Sequence, residues 1–112
     1  MTPTVLKQTE KQFQAAVVEY AELNGWLVYH TYDSRRSNPG FPDLVLVRDG
    51  WLVFAELKTE KGVVSRKQRE WLEALAAVSW RLSTRPGYEP ALILARIWRP
   101  SDWPQIEQAL GR

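Results

Sequence analysis

Apolar residues at Phe13, Ala16, Val17, Tyr20 and Leu23 recur three and four positions apart, the period of a helix with one buried face. Thr9-Glu10-Lys11-Gln12 precedes them as a capping box, with Thr9 as N-cap and Gln12 reaching back. Asn24-Gly25 stops the helix, glycine supplying the left-handed residue. The period then changes. Trp26–Thr31, Asp43–Arg48, Trp51–Lys58 and Ala91–Trp98 are rich in β-branched and aromatic residues and read as strands. Only Asp49-Gly50 separates the second from the third, a strong signal for a tight hairpin. The segment from Asp33 to Pro42, DSRRSNPGFP, is a loop by its Ser, Asn, Pro and Gly content.

Ser65-Arg66-Lys67-Gln68 is a second capping box, and Gln68, Trp71, Leu72, Leu75 and Val78 form the stripe of a second helix. Arg85-Pro86-Gly87 marks a turn. The unbroken apolar stretch of Ala91–Trp98 predicts burial on both faces. Pro100 ends that strand, and Ser101 or Asp102 can cap a short last helix, Trp103–Leu110, with Pro104 in its first turn. The order αβββαβα predicts an α/β fold, a mixed sheet flanked by helices. At 112 residues the chain is a single domain, 1–112.

Composition narrows the function without naming it. The chain is 45% hydrophobic and 25% charged, the balance of an ordinary globular domain. The absence of cysteine excludes disulfides and thiolate metal sites. A net charge of +2 permits a nucleic-acid partner and does not by itself demonstrate one. No apolar run reaches the ~20 residues of a membrane helix, and MTPTVLKQTEKQF lacks the apolar block of a signal peptide. No membrane partner and a cytoplasmic location are therefore expected.

Charge placement is more informative. A two-residue turn at Asp49-Gly50 sets Arg48 opposite Trp51, Val47 opposite Leu52, Val45 opposite Phe54 and Asp43 opposite Glu56. Opposed residues share a side of the sheet, and Lys58, two positions past Glu56, projects from that same side. Two carboxylates directly opposite each other repel. A divalent cation offsets that repulsion, and hard oxygen ligands suit Mg2+ or Mn2+. Leu52–Leu57 is apolar on both faces, so the Glu56–Lys58 pair terminates a central strand rather than a free surface strand. Glu10 lies at the edge of the inward face of the first helix, and Gln68 at the inner edge of the second. Each is also explained by its helix start, Glu10 as a first-turn acid and Gln68 as part of the capping box, and the two roles are compatible.

Gly40-Phe41-Pro42-Asp43, Phe54-Ala55-Glu56-Leu57-Lys58 and Ser65-x-x-Gln68, in that order, resemble the PD-(D/E)xK nuclease superfamily. More closely the chain resembles the VRR-NUC (virus-type replication-repair nuclease) domain, from Thr9 to about Leu110 and including Trp98-Arg99-Pro100-Ser101-Asp102-Trp103. The resemblance implies a restriction-endonuclease-like fold and metal-dependent cleavage of phosphodiesters, with Mg2+ as cofactor, Mn2+ as substitute and no small-molecule cofactor. It implies metal ligation by Asp43, Glu56 and the backbone carbonyl of Leu57, with Glu10 completing the site directly or through water. Lys58 would orient or deprotonate the attacking water and stabilise the developing charge, and Gln68 would orient Lys58 or the water. Standalone members resemble homodimeric, structure-selective endonucleases of phages and bacteria that act on branched DNA such as four-way (Holliday) junctions. Others are fused into DNA repair nucleases. Ser83–Pro90 is longer than the usual connection into the last strand.

Arg35 and Arg36 lie in the loop leading to Asp43 and are candidate DNA-phosphate contacts. Lys61, Arg66, Lys67 and Arg69 flank the second helix start, where they serve either as phosphate contacts or as a solvated face. His30 ends a strand and reads as structural, and the six tryptophans read mainly as core. Two other readings share these features: a non-catalytic DNA-binding or assembly subunit that keeps the fold, and an RNA-directed nuclease. Intact Asp43, Glu56, Lys58 and Gln68 argue against the first, because a binder needs no opposed carboxylates.

Overall fold

A computed structural model of the protein describes residues 8–31, 38–83 and 92–111, leaving the side chains of 79–83 outside the description. Arg35, Arg36 and most of Ser83–Pro90 therefore lie outside the described residues. The first helix, α1 (Glu10–Leu23), starts at the Thr9 capping box, with both reciprocal hydrogen bonds formed. It ends at Asn24, and Gly25 follows with φ 85°. Three strands come next: β1 (Leu27–His30), β2 (Leu44–Arg48) and β3 (Trp51–Leu57). Then follow α2 (Arg66–Ser83), β4 (Leu92–Trp98), a short 3-10 turn (Pro100–Asp102) and α3 (Trp103–Leu110). The order is αβββαβα, as the sequence predicts. Each predicted strand end lies within one residue of the observed one. Among the described residues no helix is long and apolar enough to cross a membrane.

The strands form one mixed sheet in the order β1-β2-β3-β4, antiparallel except for the β3–β4 pair. The hairpin register is the one that a two-residue turn dictates: Arg48 pairs with Trp51, Val45 with Phe54, Leu44 with Ala55. Asp49 (φ 50°) and Gly50 (φ 83°) both take positive φ, the pattern of a type I′ turn. One step beyond Leu44–Ala55, this register sets Asp43 opposite Glu56.

Alternation gives the sheet two faces. Leu44, Leu46, Val53, Ala55, Leu57 and Trp98 form one core with Phe13, Val17 and Ala21 of α1 and Ile106 and Leu110 of α3. The other face carries Asp43, Phe54 and Glu56 and meets α2, where Phe41 makes edge contacts with both Phe54 and Trp71.

Three expectations change. The buried stripe of α1 is Phe13, Val17, Ala21, while Leu23 is 77% exposed. Ala21 continues the four-residue step of Phe13 and Val17, and Leu23 falls about 200° further round the helix. On α2 Leu72 is buried, but Val78 is 44% exposed, so burial ends before the stripe does. β4 is not buried on both faces: it is the edge strand beside β3, with Trp98 buried, Arg96 exposed and the rest half-buried or exposed. Trp98 and Leu94 pack into the core and the strand also lies against α2, but its outer edge pairs with no strand among the described residues, so burial stays partial. The capping of α3 also differs. Asp102 is its N-cap residue without a side-chain cap bond, because its Oδ2 accepts from the Arg99 backbone N at 2.9 Å.

Candidate active site

The end of the hairpin away from the Asp-Gly turn gathers the charges. Asp43 enters from the GFPD loop, whose geometry is fixed by two neighbours. Gly40 has φ 89° and lies so close to α2 that a Cβ there would stand 2.4 Å from the Lys67 carbonyl carbon. Pro42 is buried. The backbone carbonyl of Asp43 accepts from Thr31 N at 3.0 Å, and its Oδ2 accepts from Leu57 N at 2.8 Å. One residue thus ties β1, β2 and β3 together.

Glu56, one residue earlier on β3, is 1% exposed. Its Oε2 accepts from Gln68 Nε2 at 2.8 Å and lies 3.7 Å from Lys58 Nζ. Its Oε1 is buried and accepts no hydrogen bond from the described residues. Glu10 reaches the same place from the first turn of α1: one carboxylate oxygen from each of Glu10, Asp43 and Glu56 lies within 4.8 Å of the others. Glu10 is exposed, Asp43 half-buried and Glu56 buried, so the cluster opens to solvent on the Glu10 side. Gln68 performs both tasks its position allows. Its Oε1 accepts from Ser65 N at 2.8 Å and its own N–H donates to Ser65 Oγ at 3.1 Å, while its amide NH2 holds Glu56.

A sequence profile of the VRR-NUC domain matches residues 3–82 of this chain. The chain belongs to the VRR-NUC family. A solved structure of a VRR-NUC domain superimposes with a TM-score of 0.60 at 20% identity, covering 88% of this chain and 90% of that one, a likeness of fold. No curated protein matches the sequence significantly. A VRR-NUC domain is a nuclease domain of the PD-(D/E)xK type, and here Pro42-Asp43 and Glu56-Leu57-Lys58 carry that pattern.

The electrostatics of this VRR-NUC site centre on Glu56. Burial pushes its carboxyl from the ordinary 4.5 up to about 8. The Asp43 charge adds to the rise, as do a hydrogen bond shared with Asp43 and the Glu10 charge, while the Lys58 ammonium opposes it. Without a cation this carboxyl favours its protonated form at neutral pH. The donor set fits a divalent cation: three hard oxygens converge, and the buried Oε1 of Glu56 has a lone pair that no protein donor uses.

The other candidates are placed differently. Lys61 and Lys67 are exposed on either side of the α2 start, with Arg66 and Arg69, and Lys67 Nζ lies 3.8 Å from Glu70. His30 pairs with Leu44, so it projects from the face opposite Asp43. Trp26 and Trp98 are buried, and Trp51, Trp71 and Trp103 are half-buried. The Asp43–Leu57 bond and the Gly40–Lys67 approach are not legible from spacing. The Gly-x-Pro bend before Asp43 is their only sequence signal.

Proposed function

We propose that this VRR-NUC domain is a Mg2+-dependent DNA endonuclease, with Mn2+ as a working substitute. The observation that carries the reading is the convergence of Glu10, Asp43 and Glu56 around a buried Glu56 oxygen that no described N–H donor reaches. Asp43 and Glu56 would hold the metal with the backbone carbonyl of Leu57, and Glu10 would complete the set from the solvent side. A bound divalent ion lowers the pKa of water and takes up phosphate charge.

The protein's own groups do the rest. Leu57 N–H holds the Asp43 carboxylate in place from β3. Gln68 fixes the rotamer of Glu56 through one oxygen and leaves the other for the ion. The Lys58 ammonium is held beside Glu56, mostly out of solvent, where a fixed cation stabilises charge developing on the phosphoryl oxygens more strongly than in water. The same side chain would orient or deprotonate the attacking water. Lys61, Lys67, Arg66 and Arg69 would hold the DNA backbone at the α2 start, with Arg35 and Arg36 doing so from the stretch of sequence before Gly40. By family resemblance the substrate is branched DNA such as a four-way junction, and the working form is a homodimer.

Purified protein is incubated with labelled four-way junction, flap, linear duplex and RNA, in Mg2+, Mn2+ or EDTA. Cleavage of the junction in Mg2+ and in Mn2+ is expected, with none in EDTA and none by Asp43→Ala. Cleavage that persists in EDTA or in Asp43→Ala overturns the mechanism. Equal cutting of linear duplex overturns branch selectivity, preferential cutting of RNA overturns the substrate class, and a monomeric mass by light scattering overturns the dimer.

A further inference from the structure

Behind Lys58 the chain leaves β3 and makes a tight turn through Thr59–Gly62. This turn is not held by its own residues alone. The parallel ladder continues one step, Lys58 N donating to Trp98 O at 3.0 Å, which sets the next residue of the other strand, Arg99, beside the turn. Arg99 Nη1 donates to three backbone carbonyls: Thr59 at 2.6 Å, Gly62 at 2.8 Å and Glu60 at 3.2 Å. One NH2 group has two hydrogens, so the Glu60 carbonyl shares a donor with its neighbours. Three oxygen dipoles aimed at one guanidinium end form a charge-assisted cradle that arginine fits by reach and shape.

A second tie crosses the other way. Glu60 Oε1 accepts from Ser101 N at 2.6 Å and Oε2 from Ser101 Oγ at 3.0 Å. The Asp102 carboxylate holds the Arg99 backbone N. The result reaches the lysine stem: a Cβ on Gly62 would stand 3.3 Å from Lys58 Cδ, so the turn backs directly onto it. That backing leaves the Lys58 side chain only 13% exposed, with Nζ directed at Glu56.

We propose that Arg99 is a positioning residue for Lys58, acting through the Thr59–Gly62 turn, with Glu60 as its counter-tie. Neither side chain touches the carboxylate cluster. Together they keep the turn closed against the lysine stem, so that the ammonium occupies one place beside Glu56. The activity part of this inference rests on the nuclease reading above, and the positioning part does not.

The test therefore has two arms. Lysine acylation by an N-hydroxysuccinimide ester is followed residue by residue in the intact, metal-free protein by mass spectrometry, with the exposed Lys67 as internal reference. Arg99→Ala is expected to raise the Lys58 rate roughly fivefold relative to Lys67 as the turn opens locally. Glu60→Gln is expected to act in the same direction and Arg99→Lys less strongly. In the second arm Arg99→Ala lowers kcat at saturating metal and DNA roughly tenfold or more, the scale expected for a displaced catalytic group, with KM little changed. In a Lys58→Ala background the same change lowers kcat less than about twofold, because the group it positions is gone. An unchanged Lys58 acylation rate in all three variants overturns the proposal whether or not the protein cleaves DNA. An equal fall in both backgrounds overturns it too, showing a general structural role. A wild-type protein that cleaves nothing refutes the nuclease reading alone, and the acylation arm still decides the positioning.

Discussion

Glu56→Gln is the perturbation that most directly tests the electrostatics of the site. In the metal-free protein the Glu56 carboxyl is raised from 4.5 to about 8, chiefly by burial and then by Asp43. The folded state therefore keeps a proton that the unfolded state has lost throughout the window between those values. Stability falls with rising pH wherever the folded state binds more protons. The contribution of Glu56 is thus complete below about pH 4.5, declines through neutrality and is gone above about pH 8. At about 1.4 kcal/mol per pH unit the whole window is worth at most about 5 kcal/mol, a large share of the stability of a small domain. Glutamine keeps the volume and an oxygen for Gln68 Nε2 but carries no charge at any pH. Urea unfolding in EDTA from pH 5 to pH 9 is the assay. Wild-type stability is expected to drop by about 2 kcal/mol or more between pH 5 and pH 8.5, a substantial part of that ceiling, while Glu56→Gln stays flatter and exceeds wild type at the alkaline end. Adding Mg2+ at pH 8.5 is expected to restore wild type and leave the variant unchanged. Wild-type stability that rises across the window, or a variant with the same pH profile as wild type, refutes the reasoning.

Gly40→Ala places a methyl group against the Lys67 backbone at a residue with φ 89°, and is expected to cost about 2–4 kcal/mol by urea unfolding; a change below about 0.5 kcal/mol contradicts that close approach. Gln68→Ala removes both the acceptor for Ser65 N and the donor to Glu56, and is expected to cost about 1–3 kcal/mol. Gln68→Glu, which keeps the cap acceptor but faces Glu56 with a second carboxyl, is expected to lose cleavage while keeping the helix start, read by activity beside circular dichroism. Lys67→Ala is expected to leave stability within about 0.5 kcal/mol and to reduce by about one the slope of log DNA affinity against log salt. An unchanged slope removes Lys67 from the DNA contacts.

The hairpin was legible because its information is local. Asp49-Gly50 determines the turn, the turn determines the register, and the register carries Asp43 to Glu56 with Lys58 alongside. The helix starts were legible for the same reason, since a capping box spans four residues. Glu10 marks where local reading stops. Its place at the edge of the inward face fits a first-turn acid and a site residue equally, and its approach to Asp43 depends on how Phe13, Val17 and Ala21 seat α1 on the sheet. The α1 stripe shows the same ambiguity: both Ala21 and Leu23 fit a helical period, and the neighbouring sheet selects the smaller residue. For β4, an apolar run cannot say whether its strand has a neighbour on each side. Arg99 is the extreme case: it stands in the Trp98–Trp103 ending that carries part of the resemblance, but its partners lie 37 to 40 positions away and spacing does not name them.

The site's construction explains why its most buried residue is charged. A core position opposite Asp43 and beneath α2 is best filled, for stability alone, by an apolar side chain, because a buried carboxyl oxygen that no protein donor reaches gives up hydration without a protein hydrogen bond in exchange. The surrounding contacts hold that carboxyl in place and offset only part of the cost. Gln68 takes one oxygen only, Lys58 stands at 3.7 Å, and Leu57 N–H is committed to Asp43. A site built for stability would have turned one of these donors toward the second oxygen. Leaving it bare, between two further carboxylates that raise the cost, makes sense when a cation supplies the missing partner. The same reasoning accounts for the stiffness of the support. A carboxylate triad held by loops would relax apart, whereas here two members are fixed by adjacent sheet strands and the third by a capped helix start.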